Sequence, residues 1–125
     1  TPFTSVLPEG FPAESFYLNV DQWDGFPVEK EALLETVLRP RNALIVSGDI
    51  HAAFVVDHGT ARAGGRAVEL TCPAVSSSNF QRLLFDSAQQ VASLRGNPIV
   101  DTVLGALDGF LTTARPQIAY ARTDV

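Results

Sequence analysis

Three short segments of this sequence hold residue types able to do chemistry. The first is Ser47-Gly48-Asp49-Ile50-His51. Its carboxylate and imidazole sit two residues apart, just past the apolar run Ala43-Leu44-Ile45-Val46, which reads as a strand buried on both faces. Ligands of open α/β sheets bind beyond the carboxyl ends of strands. Gly48 would let the chain turn there, so that Asp49 and His51 could face one cleft. An Asp oxygen with a His nitrogen suits iron, manganese or zinc, and with further oxygens calcium. The same residues also suit a simple Gly-Asp turn with a hydrogen-bonded histidine.

The second segment is Asp21-Gln22-Trp23-Asp24-Gly25-Phe26. Two acids flank a tryptophan, and Gly25 permits an unusual backbone that could present a carboxylate to a site. Equally, it could be a helix lead-in, with Asp24 near the positive end of the dipole and Trp23 filling core. The third runs from Glu69 through Cys72-Pro73-Ala74-Val75-Ser76-Ser77-Ser78-Asn79. Its hydroxyls and amide could hydrogen-bond a phosphoryl oxygen, or serve only as a capping loop. A serine nucleophile would need a Gly-x-Ser-x-Gly elbow, which the sequence lacks. Cys72 beside Pro73 reads as a small buried residue, and His58, in an expected turn, as a surface residue.

Composition narrows the options. The 125 residues suffice for one domain, and 46% hydrophobic with 18% charged is an ordinary globular balance. The formal net charge of −5 and the scattering of nine Lys and Arg give no nucleic-acid-binding surface. An acidic chain does not draw in phosphate esters by its overall field, so local cations would have to supply the positive charge. One cysteine and two histidines permit neither an intrachain disulfide nor a histidine-rich zinc site. No apolar run approaches a membrane span. Oligomeric state is not readable from the sequence.

The elements that must position these segments form a mixed α and β layout. Residues 1–16 read as an irregular lead-in and 16–20 as a short extended stretch. A helix starts at Pro27, with Glu29 and Glu31 near its positive end and Arg39 near its negative end, and stops at Pro40. Val28, Ala32, Leu33, Val37 and Leu38 form its apolar face. Strands follow at 43–46, 52–56 and 66–71, with a turn over 57–65. A helix capped by Ser78 or Asn79 runs to Gly96, a second one follows Asn97-Pro98, and residues 117–122 make a last strand.

In this order and spacing the segments resemble the C-terminal half of the PhoD-like metallophosphatases. Asp21-x-Trp23-Asp24-Gly25-Phe26, Ser47-Gly48-Asp49-Ile50-His51 and Glu69-Leu70-Thr71-Cys72-Pro73-Ala74-Val75-Ser76-Ser77 are similar to that family's D-x-W-D-G-Y, S-G-D-x-H and E-F-x-T-P-S-I-S-S. Phe26 stands where Tyr is usual. Arg115-Pro116-Gln117-Ile118-Ala119-Tyr120 resembles a late N-P-H-I-x-Y, with Gln117 in place of His. The resemblance implies an α/β (α+β) fold, the C-terminal part of a four-layer αββα metallophosphoesterase sandwich. It implies an alkaline phosphatase or phosphodiesterase acting on phosphate mono- and diesters with Ca2+ and Fe3+. The family often works outside the cytoplasm, so a secreted or periplasmic parent is expected. Matched motifs make Asp49 and His51 the catalytic candidates, Asp24, Asp49 and His51 the metal-site residues, and Trp23, Ser76 and Ser77 the substrate side.

Nothing in the chain resembles the family's N-terminal Asp-x-His, Gly-Asp-x-x-Asp or Gly-Asn-His-Glu motifs. The expectation is therefore one partial domain over 1–125, truncated at both ends and inactive when isolated. The competing reading is a non-catalytic, partner-binding α/β module derived from the same fold.

Overall fold

A computed structural model of the chain describes residues 23–125. The lead-in at 1–16, the extended stretch at 16–20 and Asp21 lie outside the described residues. After a 3-10 turn at Trp23–Gly25, helix α1 spans Pro27–Leu33, passes through a π-helical turn at Leu34–Leu38, and ends in a 3-10 turn at Arg39–Arg41. Strands β1 (Leu44–Ser47), β2 (Ala53–Thr60) and β3 (Arg66–Thr71) follow, then helices α2 (Phe80–Gln90), α3 (Ile99–Gly105) and α4 (Leu107–Ala114), then strand β4 (Ile118–Arg122). The mixed α/β layout expected from the sequence is the one found.

The strands form one sheet in the order β1-β3-β2-β4. β1 runs parallel to β3, while β2 is antiparallel to both β3 and β4. Register assigns every side chain to a face. Ile45, Glu69, Val56 and Ile118 stand side by side, as do Ser47, Thr71, Phe54 and Ala121. This is the core face, where Ala52, Phe54, Val56, Ile118 and Ala121 pack with Leu111 of α4, and Ile50, Phe80 and Leu107 lean on them.

The opposite face carries Leu44, Val46, Val68, Leu70, Val55 and Tyr120. Leu44 is 63% exposed, Val46 67% and Tyr120 48%. β1 is thus an edge strand covered on one face only, and the expectation of a strand buried on both faces is corrected. The apolar run is genuine, but among the described residues nothing covers its outer side.

Other expectations change for local reasons. Pro40 does not stop the first helix. It continues as a 3-10 turn until Asn42, at φ 52°, takes a left-handed conformation and accepts Arg66 N at 3.0 Å through Oδ1. Of α1 and its continuation only Leu34 is buried, and Val28 and Val37, expected on the apolar face, are exposed. Arg39 does more than complement the helix dipole. It donates to Glu31 at 2.6 Å, to Glu35 at 3.1 Å, and through Nε to the His58 carbonyl at 2.8 Å, tying α1 to β2. The helix expected to continue to Gly96 leaves helical geometry at Val91, and the one after Pro98 breaks at Ala106 into α3 and α4. Asn79 caps α2, accepting Arg82 N at 2.9 Å.

The expected turn over 57–65 begins later, because β2 runs on to Thr60. A bulge lies between Asp57 and Thr60, with Gly59 at φ 75°. The chain reverses over Ala61–Gly65. Gly65 (φ 84°) lies so near the Arg39 carbonyl that an added Cβ would sit 2.2 Å from its oxygen, so no other residue fits there.

Two outcomes follow. An apolar sheet face left open should make the isolated chain self-associate. Sedimentation velocity should show mass increasing with concentration, and Leu44→Lys with Val46→Lys should reduce it, since edge charges oppose pairing. A wild-type monomer throughout would refute this. At the bulge, Arg66 donates through Nε to Asp57 Oδ1 at 2.9 Å and through Nη2 to Oδ2, and Gly59 N donates to Oδ1 at 2.9 Å. The Arg66 hydrogen bonds hold the Asp57 carboxyl at about 2 instead of 3.8. A lowered folded pKa gives stability that is present above 3.8 and is lost as pH falls through about 2. Arg66 is largely exposed, so solvent limits the effect to about 1 kcal/mol or less. Acid unfolding of wild type beside Arg66→Gln should show a stability difference that is full above 3.8 and closes as pH falls through about 2.

Candidate active site

The site begins with a crossing. β1 and β2 lie on either side of β3, so residues 48–52 must carry the chain over the carboxyl end of β3 and reverse its direction. The gap is two strand spacings, about 9.5 Å. The backbone shows the demand. Asp49 has φ 75° and His51 φ 59°, both in the left-handed region. Asp and His are among the non-glycine residues that tolerate it best. Gly48, expected to make the turn, does not have positive φ, and a Cβ there would meet only the Cys72 carbonyl at an ordinary 3.7 Å. The strain sits on the two residues with chemistry instead.

The arch rests on the loop beneath it. Cys72 N donates to the Ser47 carbonyl at 2.9 Å, and Phe80 N to the His51 carbonyl at 2.8 Å. The ring is held as well, since His51 Nδ1 lies 2.6 Å from the Ser78 carbonyl and 3.1 Å from Ser77 Oγ. A carbonyl oxygen only accepts, so Nδ1 carries the hydrogen and the Nε2 lone pair is left for another partner. This is how a histidine is oriented when its other nitrogen binds a metal or takes a proton. The loop is anchored in turn. Asn79 Nδ2 donates to the Asp124 carbonyl at 2.9 Å, and Gln81 donates through N and Nε2 to Thr123 at 3.0 and 2.9 Å. Thr123 is buried and donates to Asp108 Oδ1 from N and Oγ1 at 3.0 and 2.5 Å.

The candidate residues fall as follows. Asp49 is exposed on the arch and His51 is half-buried on it, both at the carboxyl edge shared by β1 and β3. Ser77 is brought to His51, and Ser76 is exposed on the same loop. Trp23 is half-buried in the 3-10 turn ahead of α1. The backbone of Asp24 is in that turn, and its side chain lies outside the described part. Cys72, expected to be buried, is exposed, because the chain leaves the sheet there instead of continuing into the core.

His58 is the largest correction. It is not at the surface, since its side chain is 7% exposed and Nε2 lies 2.9 Å from Glu69 Oε2. Flanking Asp57 and Gly59 read as a turn, but Phe54, Val56 and His58 alternate with the period of a strand, and that was the available signal. Glu69 is fully buried, and Ser47 Oγ donates to its Oε1 at 2.6 Å.

The donor types at the arch fit a cation, a carboxylate with an imidazole whose free nitrogen is defined. Their number does not complete a site. Among the described residues no group of three or more His, Cys, Asp or Glu is placed to hold a metal ion. No helix of the described residues is long and apolar enough to cross a membrane.

The mixed sheet holds an acid and an oriented histidine at its carboxyl edge, the edge at which open α/β sheets bind their ligands. A profile of the family described as PhoD-like phosphatase matches residues 1–113, and the chain belongs to that family. Membership points to phosphate-ester hydrolysis as the activity class and to a phosphate ester as substrate, in a family that is generally metal-dependent. No curated protein and no solved structure matches the chain.

Left-handed φ at a non-glycine residue costs on the order of 1 kcal/mol. Asp49→Gly should relieve it, less the extra freedom of glycine when unfolded, for a net gain of up to about 1 kcal/mol. Asp49→Val, β-branched at the same φ, should cost about 2 kcal/mol or more. Denaturant unfolding of the pair checks both signs.

Proposed function

We propose that the protein carrying this chain hydrolyses phosphate mono- and diesters as an alkaline phosphatase/phosphodiesterase, and that Asp49 and His51 lie at the centre of its site. The observation that carries this is the histidine clamp, in a chain whose family match runs over 1–113. The clamp fixes which nitrogen carries the hydrogen and leaves the other for a further partner, on the same arch as the exposed Asp49.

In this reading Asp49 and His51 supply an oxygen and a nitrogen donor, Asp24 joins them, and further donors come from outside the described residues. Bound calcium and ferric ions would polarise the phosphoryl oxygens and acidify a water. The chain's own contribution is orientation. The Ser78 carbonyl and Ser77 hydroxyl hold the imidazole, so Ser77 serves through His51, while Trp23 and Ser76 line the substrate side. An acid-rich chain with net charge −5 repels a phosphate ester, so positive charge must be concentrated at the site. One partial domain, inactive by itself and exported with its parent, is part of the same proposal. A non-catalytic, partner-binding module is the competing reading. The strain at Asp49 and His51 favours a site, since such strain clusters where residues act.

The test is hydrolysis of bis-p-nitrophenyl phosphate and p-nitrophenyl phosphate by the intact protein, with and without chelator. Activity should be lost with chelator and should fall on the order of 100-fold or more in Asp49→Ala and in His51→Ala. Activity indifferent to both substitutions would make the arch a structural turn.

A further inference from the structure

Beneath the arch, out of reach of any substrate, lies a buried acid that the proposed chemistry does not use. Glu69 is fully buried on the core face of β3. Its Oε1 accepts from Ser47 Oγ at 2.6 Å, and its Oε2 lies 2.9 Å from His58 Nε2. Ser47 Oγ is also 3.1 Å from Thr71 Oγ1. The arrangement is not that of a catalytic triad, because the hydroxyl faces the carboxylate and not the imidazole.

A buried charge is costly, and well-packed apolar residues in its place are often neutral or stabilising. In register with Glu69 stand Ile45 and Val56, so the surroundings would accept an apolar side chain. A leucine could not hold the hydroxyl of Ser47, the last residue of β1 and the root of the arch. That root needs holding. β1 is paired on one side only, two of its side chains point into the open, and the strained Asp49 follows two residues after Ser47. His58 sits on the longer strand β2, whose carbonyl at that residue is itself gripped by Arg39. The chain of contacts therefore runs from α1 and β2, through Glu69, to the end of the edge strand.

We propose that Glu69 is a positioning residue for Asp49 and His51, acting through Ser47 and braced by His58. The proposal rests on the phosphoesterase reading of the arch. It assigns Glu69 a hydrogen-bonding role and not a charge carried to the reaction.

The experiment uses the intact protein and three variants: Glu69→Gln, Ser47→Ala, and the apolar triple Ser47→Ala/Glu69→Leu/His58→Leu. Thermal stability, kcat and KM on bis-p-nitrophenyl phosphate, and the 15N signals of the His51 ring are measured for each. Of the two histidines in this chain the triple variant keeps His51, whose ring signal is assigned as the one missing from His51→Ala. The triple variant should melt at or above the wild-type temperature. Its kcat should fall about 100-fold, as misplacement by an ångström can cost, and the Nδ1–H pattern of His51 should give way to a tautomer mixture. Glu69→Gln, whose amide accepts from Ser47 and donates to His58, should keep kcat within about threefold, because the geometry is preserved. A stable triple variant with wild-type kcat and an unchanged His51 signal overturns the proposal. So does a Glu69→Gln variant as impaired as the triple, which would mean that charge matters instead. Should the triple fail to fold, Ser47→Ala decides, since it removes only the link to β1. An unchanged His51 signal and kcat there also overturn the proposal. Wild-type protein without hydrolysis defeats the phosphoesterase reading, and the His51 signal then judges the positioning role alone.

Discussion

Residues 48–52 must pass over the end of β3 to join two strands that flank it, and the candidate site is the consequence. The chain makes this crossing with left-handed geometry at Asp49 and His51, at the carboxyl edge of the sheet. The strand being crossed also delivers, directly beneath, the loop that grips the histidine. Strain and support thus come from one topological fact.

The two faces of the sheet answer different needs. The core face combines an apolar cluster with a polar one in which Ser47, Thr71, His58 and Glu69 meet. The apolar cluster gives stability through area removed from water. The polar one adds direction, since hydrogen bonds fix angles that packing alone leaves loose. The outer face has Leu44, Val46 and Tyr120 in the open. Such a surface suits a fold built to be covered, and the four-layer sandwich implied by the family resemblance would cover it.

Much of this was legible in the residues. β3 falls on 66–71 as read, β1 and β4 within a residue, and Asn79 caps α2. These elements declare themselves through local rules: apolar runs, alternation, a capping side chain. The misreadings came where tertiary contacts overrode local signals. Asp57 and Gly59 look like a turn, yet a bulge keeps the chain in the sheet and turns His58 inward. Leu44 and Val46 look like core, yet β1 is at the edge.

The sequence by itself determined the residue types, much of the strand and helix segments, and the motif order on which the family resemblance was read. It determined them because propensity and motif order are properties of neighbours along the chain. Only the tertiary structure decided that β3 inserts between β1 and β2, that Ser77 and Ser78 reach His51 from 26 and 27 residues away, and that Glu69 joins Ser47 to His58. Strand order is set by which faces can be buried together, and that is a property of the folded chain as a whole.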